Sequence, residues 1–359
     1  MKRKSIYKEL IRKIFLGRIH FAITFLVLFQ LFATNSSALP LKQTLDTDVK
    51  VYHELKKIPP TAQQVKVGFY TQNIYEVNPE SNTYYMDFYV WFKWKGSIDP
   101  TEKIEFMNGV EDWGMTKVNT YETPMLLPDS SFYQVVRIEG RFRENFEFER
   151  YPLDEQRLGV VLENSLHDIN EVVYLADTVE SGYTDDLAIP GWEFKDYLIS
   201  NLYHQYKTNF GDYKLNEKTS SYSAIRFELR VTRPINYFIW KLLFPLLVVL
   251  FASFGALLLD PLRVDSRIFL PITALLTIVF LQQAYSDALP AVSYLVLIDK
   301  IYVIAYIMII VATMETIYTA GIVKIEDPLT IVKVKKIDRI FLLGKILFLI
   351  AAMIFLLLF

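Results

Sequence analysis

The residues of this chain that could do chemistry cluster in one apolar stretch, Arg267 to Tyr285, RIFLPITALLTIVFLQQAY. Thr273, Thr277, Gln282 and Gln283 interrupt it. In a helix facing lipid each would be costly, so together they point to a face turned toward water or neighbouring helices. Helical spacing brings positions three and four apart onto one side, which places Asp265, Phe269, Thr273, Leu276, Phe280, Gln283 and Asp287 along a single stripe. A carboxylate stands at each end, a hydroxyl and an amide lie within, and large apolar groups fill the middle. Several copies around an axis would form a water-filled tube closed by rings of Leu276 and Phe280, with Asp265 and Asp287 concentrating cations at the mouths. The same pattern fits a helix buried in a monomeric bundle, its hydroxyls and amides bonding to neighbours. Pro271 removes one helical hydrogen bond and disfavours helical geometry at Leu270, which predicts a kink near Phe269.

Bond-making chemistry has no comparable signal. Carboxylates are plentiful, but no nucleophile constellation, metal-ligand spacing or glycine-rich phosphate loop stands out. The absence of cysteine excludes disulfides, thiolate metal sites and cysteine nucleophiles, so no cofactor or metal is expected and an exported domain must rely on core packing. A formal net charge of -2 argues against a nucleic-acid partner, and a hydrophobic fraction of 52% points to a membrane protein.

The elements around the stripe follow in order. Lys2, Arg3, Lys4, Lys8, Arg12, Lys13 and Arg18 precede an apolar run from Ile19 to Phe32 and then Ser36-Ser37-Ala38. That is the pattern of a secretory signal peptide over residues 1–38, with an uncleaved anchor as the alternative. From 39 to 233 the chain alternates with a period of two. Tyr84, Met86, Phe88, Val90, Phe92 and Trp94 share one strand face, and Tyr85, Asp87, Tyr89, Trp91, Lys93 and Lys95 share the other. Further strands are predicted at Val65 to Val77, Phe132 to Phe142, Gln156 to Glu163, Trp192 to Asn201 and Tyr222 to Thr232. Turns fall at Asn78-Pro79, Asp99-Pro100, Pro128-Asp129 and Pro190-Gly191, and the whole reads as an immunoglobulin-like β-sandwich.

After Pro234 the composition changes, and 234–359 reads as a four-helix transmembrane bundle. Its spans are expected at Ile235 to Leu259, Ile268 to Ala284, Ile301 to Ile322 and Ile340 to Phe359, with Pro245 kinking the first. Arg263 and Arg267 lie between the first two spans, and Lys324, Lys333, Lys335, Lys336 and Arg339 between the last two, whereas Ser286 to Ser293 carries no Lys or Arg. Both basic loops are therefore expected on the cytoplasmic side, with the sandwich and the C-terminus outside.

This layout resembles the pentameric ligand-gated ion channels, the Cys-loop receptor superfamily, in its cysteine-free prokaryotic branch. The residues that carry the resemblance are Trp94, Pro128-Asp129 before Phe132-Tyr133, Tyr151-Pro152-Leu153-Asp154, Arg233 ahead of the first span, and Leu289-Pro290 after the second. Glu144 and Leu158 stand at about the two cysteine positions. The resemblance implies a homopentamer in membrane lipid with the second span lining the pore and the central gate leucine at Leu276. Anion-selective members resemble one another in a Pro-Ala pair before that span; here Asp265-Ser266-Arg267 stands instead, so permeant monovalent cations are expected. Coupling between the domains would run through an Asp154–Arg233 pair and through the loop from Glu76 to Glu80 pressing on Pro290.

Agonists of the family sit between subunits under a flap. By position, Tyr89 would lie on the complementary face, Glu163 and His167 in the central loop, and Tyr203, His204, Tyr206, Phe210, Tyr213 and Tyr222 on or beside the flap. Tyrosines around a carboxylate suit an organic amine, although Leu166 stands where many amine receptors carry an aromatic. His167 and His204, in loops expected to face one another, suit protons. The sequence therefore leads to a channel of the bacterial inner membrane, gated from the periplasm by a small-molecule agonist or by protons. A non-conducting four-span sensor or binding protein is the rival.

Overall fold

The computed structural model describes residues 52–211, 219–287, 289–323 and 327–358. The expected signal peptide 1–38, the segment up to 51, Tyr213 and Lys324 lie outside the described residues. The alternation read from the sequence becomes two facing sheets. One has the order β1-β11-β12-β8-β4, built from Tyr52–Glu54, Glu193–Tyr206, Ser220–Thr232, Glu155–Asn164 and Ile104–Phe106. The other has the order β10-β2-β3-β7-β5, built from Gly182–Tyr183, Gln63–Asn78, Thr83–Trp94, Phe132–Arg143 and Thr116–Asn119. β6 (Met125–Leu126) adds to β7, and β9 (Val172–Ala176) adds to β2 in parallel.

Burial follows the predicted faces. Tyr84, Met86, Phe88, Val90, Phe92 and Trp94 are buried, while Tyr85, Tyr89, Trp91 and Lys93 are half-buried on the other side. Across the core Phe69 stacks on Phe227 with ring centroids 5.4 Å apart, and Phe88 meets Phe106 edge-on at 5.7 Å. The turn residues do the work their types suggest. Asn78 Oδ1 accepts the N–H groups of Glu80 and Ser81, Asp99 Oδ1 that of Thr101, and Asp129 Oδ1 that of Ser131.

One bond pair ties the sheets together. The Tyr84 hydroxyl crosses the core from β3, donates to the Gly159 carbonyl and accepts the Gly159 N–H at 2.8 Å. A Cβ on Gly159 would lie 2.4 Å from the Phe227 carbonyl oxygen and 2.9 Å from the Glu228 Cα, so only glycine fits there.

Four helices long and apolar enough to cross a membrane follow: Tyr237–Leu258, Val264–Ser286, Leu297–Ala320 and Pro328–Leu356. The first contains a π-helical stretch, Tyr237–Leu243, then α1 (Phe244–Gly255) and a short 3₁₀ turn, Ala256–Leu258. Pro245 falls in the first turn of α1, where a missing N–H costs little, and the irregularity sits just before it. α2 (Val264–Ser286) runs unbroken through Pro271, which lies on its buried side with Arg267, Ala274 and Ile278. α3 is Leu297–Ala320.

α4 (Pro328–Leu358) corrects the expected fourth span, which begins twelve residues early relative to Ile340. The cause is an N-terminal cap: Asp327 Oδ1 accepts the Leu329 N–H at 3.0 Å, and Pro328 follows as the first helical residue. Lys333, Lys335, Lys336 and Arg339 are therefore exposed residues of a helix rather than of a loop. Arg267, counted as a loop cation, is likewise a helical residue, and it is buried.

The Tyr84–Gly159 link predicts a graded response. Tyr84→Phe should destabilise the sandwich by about 1–3 kcal/mol through two backbone groups left unpaired in the core. Gly159→Ala should cost more, because the obstructing atoms are backbone and cannot rotate away. Thermal unfolding of the detergent-solubilised protein measures both, and equal midpoints for the two variants and the parent would contradict the assignment.

Candidate functional site

Within a single chain every residue of the α2 stripe is exposed: Asp265, Phe269, Thr273, Leu276, Phe280, Gln283 and Asp287. Phe269 is 67% exposed, Leu276 59% and Phe280 68%, which is high for large apolar groups in the middle of a bundle. The opposite side of α2 packs against α1 and α3. Asp265 lies in the first turn, where the helix dipole favours an anion. Asp287 lies at the other end, where the dipole opposes one, and Gln283 Nε2 supports it with a 2.6 Å hydrogen bond. The polar residues do not all share the stripe. Thr273 and Thr277 are joined by a hydroxyl-to-carbonyl bond of 2.9 Å, whereas Gln282 accepts from the Tyr306 hydroxyl on α3 and belongs to the packed side.

The junction between sheets and helices is built from backbone and one guanidinium. Arg233 Nε donates to Asp154 Oδ1 at 2.9 Å. Asp154 is 2% exposed and also accepts from Gln156 at 2.7 Å. The guanidinium lies over the rings of Trp192 (4.2 Å) and Tyr151 (4.9 Å), so the last residue before the helices is held by charge and by aromatic faces together. The loop after α2 docks on the same segment: Leu297 N–H donates to the Glu149 carbonyl at 2.9 Å, Ile298 N–H to that of Tyr151 at 3.2 Å, and Tyr294 accepts from Phe148 N–H at 3.2 Å. Glu76 and Glu80 are exposed, with Glu76 paired to Arg141 at 3.1 Å, and Pro290 is half-buried. Backbone contacts between sheets and helices thus run through 148–151 and 294–298, and the Tyr151 side chain also bonds Tyr237 on the first span.

The third assembly surrounds Glu163, at the end of β8. Its carboxylate is 3% exposed; Oε1 lies 3.0 Å from His204 Nδ1 and Oε2 accepts from the Tyr206 hydroxyl at 3.2 Å. The Tyr52 hydroxyl also hydrogen-bonds Glu163. Tyr206 meets Tyr222 edge-on at 5.7 Å and Phe210 at 5.0 Å. Burial pushes the Glu163 carboxyl up from 4.5 to about 7, Glu105 on the neighbouring strand adds to the rise, and the tyrosine hydroxyls oppose it. Burial and the nearby His53 push the His204 imidazole down. Burial thus disfavours the charged form of both partners in this contact.

Of the residues named from sequence, Glu163, His204, Tyr206 and Tyr222 come together here. Tyr203 lies next to them against His53, with ring centroids 5.1 Å apart. His167 does not join His204; its Nδ1 is 2.8 Å from Glu171. Tyr89 is on β3 in the other sheet, with Arg137 over its ring at 5.9 Å. Sequence reading misses Tyr52 and His53. They form β1, which adds to the free edge of β11 with Tyr52 opposite His204 and His53 opposite Tyr203, and Tyr52 packs on the His204 ring at 4.6 Å. Three residues carry too little periodicity to announce a strand.

Comparison with known proteins fits these features. No protein-family profile matches the chain. Among curated proteins it is similar to a proton-gated ion channel of Gloeobacter violaceus, 21% identical over 281 residues, which cover 72% of this chain and 74% of that one. It is also similar to a glutamate-gated chloride channel subunit beta of Haemonchus contortus, 25% identical over 48% of this chain and 38% of that one. A gamma-aminobutyric acid receptor subunit beta of Lymnaea stagnalis is 25% identical over 47% and 32%. The chain spans only about a third of the length of these two animal relatives, all of which are channels rather than enzymes. With a channel aligned along most of its length, and with sheets preceding four membrane-length helices, the chain is similar to the pentameric ligand-gated ion channels and fits a multi-pass membrane protein whose sheet domain is extracellular.

Proposed function

We propose that five copies surround a pore lined by the α2 stripe, in the inner membrane of a bacterium, and that protonation on the extracellular side opens it to monovalent cations. The observation that carries the gating reading is the burial of Glu163 within Tyr52, His204 and Tyr206. The similarity to a proton-gated channel supports it. An organic amine fits less well, because the carboxylate it would need already accepts bonds from the chain's own groups.

The sign of the effect follows from the direction of the shift. A carboxyl raised from 4.5 to about 7 favours the described arrangement fully below its ordinary value, and that advantage is lost as pH rises through about 7. Such a shift corresponds to roughly 3 kcal/mol per subunit, enough to move a two-state equilibrium strongly. Acidification within this window therefore removes a negative charge facing Tyr52, Glu105, His204 and Tyr206, with His53, Tyr222 and Arg226 behind them. Protonation thus stabilises the packing of β1, β11 and β12 around a neutral Glu163 and deprotonation opposes it, and β11 and β12 run from this cluster toward Arg233.

Cation preference rests on Asp265 and Asp287, both exposed on the stripe, and on the withdrawal of Arg267 from the mouth into a pair with Asp338 at 2.7 Å. The coupling role proposed for Glu76, Glu80, Asp154, Arg233 and Pro290 rests on the position of the Asp154–Arg233 pair at the junction. Leu276 and Phe280 form the proposed hydrophobic gate.

The readings are tested by current recording from purified protein. Glu163→Gln, fixed neutral, should flatten the pH dependence between about 7 and 4.5 or move its midpoint by about one unit or more; an unchanged curve would exclude Glu163 as the sensor. Leu276→Ser should ease opening, seen as activation at higher pH or slower desensitisation, and identical currents would remove Leu276 from the gate. In a salt gradient Asp265→Asn with Asp287→Asn should carry the reversal potential toward zero, and an unmoved potential would refute their role in selectivity.

A further inference from the structure

At the end of the helical bundle remote from the sheets, four ionisable side chains are buried away from the stripe. Arg267 and Asp338 are each 1% exposed, Lys345 4% and Glu315 6%. Arg267 Nη2 lies 2.7 Å from Asp338 Oδ2, and its Nε donates to the Ala256 carbonyl at 3.2 Å. Lys345 Nζ donates to Glu315 Oε2. The pairs form one cluster, since Glu315 feels the charges of Asp338 and Arg267, and Lys345 feels that of Asp338. Asp338 and Lys345 both stand on α4, so one pair joins α4 to α2 and the other joins it to α3.

Packing alone does not account for these residues. The buried positions of α4 are Val334, Asp338, Lys345, Leu349 and Leu356, so two charges occupy a stripe that leucines could fill. A buried ion pair is often no more stabilising than apolar residues of the same volume, and within a membrane its charges are costly. The cluster is also incompletely satisfied. Arg267 Nη1, Asp338 Oδ1, Glu315 Oε1 and Ser253 Oγ on α1 are buried without a partner, four of the five such atoms among the described residues.

The cluster also has a lever on the stripe. Asp265 and Phe269 lie two residues to either side of Arg267, hence across the helix from it. Pro271 has no N–H to bond the Arg267 carbonyl, so the helical ladder lacks a rung at this point. α4, the least buried of the four helices, thereby grips α2 where its own backbone is weakest.

We propose that Arg267, Asp338, Lys345 and Glu315 form an ionic latch through which α4 positions the inner mouth of the pore. The four act as positioning residues, and the inference rests on the pore reading above. Because the chain has no cysteine, Phe269→Cys provides a unique label site in every background. The variants are Asp338→Asn, the apolar pair Arg267→Met with Asp338→Leu, and the exchanged pair Arg267→Asp with Asp338→Arg, each taken as the assembled oligomer. The labelling rate of Phe269→Cys by a charged thiol reagent should change roughly fivefold or more in the first two and return toward the parent in the third. Unitary conductance should follow the same order. An apolar pair that assembles and labels at the parental rate would overturn the latch. If the parent conducts no current at any pH the pore reading fails, while the labelling rates still decide whether α4 positions this end of α2.

Discussion

A single guanidinium stands where this molecule passes from one solvent to another. Arg233 follows the last strand and precedes the first span, and its charge cannot be left bare at the edge of hydrocarbon. Asp154 takes one N–H at 2.9 Å, and the faces of Trp192 and Tyr151 take the planes of the group. The segment carrying Tyr151 also receives the backbone N–H groups of Leu297 and Ile298. Strand, loop and helix therefore meet on one small set of partners.

On either side of this seam the same rule, that buried polar groups must be satisfied, has opposite outcomes. In the sheets it is met locally, with ladder bonds, side-chain caps at turns and the Tyr84 hydroxyl serving both backbone groups of Gly159. In the bundle the backbone is satisfied within each helix, so what remains conspicuous is side chains: an exposed stripe of mixed character on α2, and buried charges behind it. Both sit on one helix, the stripe on one side and Arg267 on the other. A buried carboxylate in the sheets, Glu163, repeats the theme with hydroxyls and an imidazole as partners rather than an ammonium.

What could be read from sequence depended on how many residues carried each signal. Alternation from Tyr84 to Trp94 defines a strand and its buried face, and the spacing from Asp265 to Asp287 defines the stripe. The three-residue β1 was invisible because its identity comes from pairing with β11, far away along the chain. The start of α4 was misplaced because hydropathy was followed in preference to the Asp327-Pro328 cap, which lies well outside the apolar run. Arg267 reads as a loop cation for a related reason: it borders an apolar window, and its partner Asp338 lies 71 positions along the chain. An ionisable residue in a span was the available signal, and it pairs only in three dimensions.

In the proposed function, protons act at the sheet domain to open a conducting path. The measurement that tests it most directly is the current through purified protein in a planar bilayer as pH is lowered from about 8 to about 4 on the sheet-domain side alone, across the window set by Glu163. Cation current that rises on acidifying that side, and not the other, is the predicted result. A tight seal at every pH would contradict it and leave a non-conducting four-span sensor in its place.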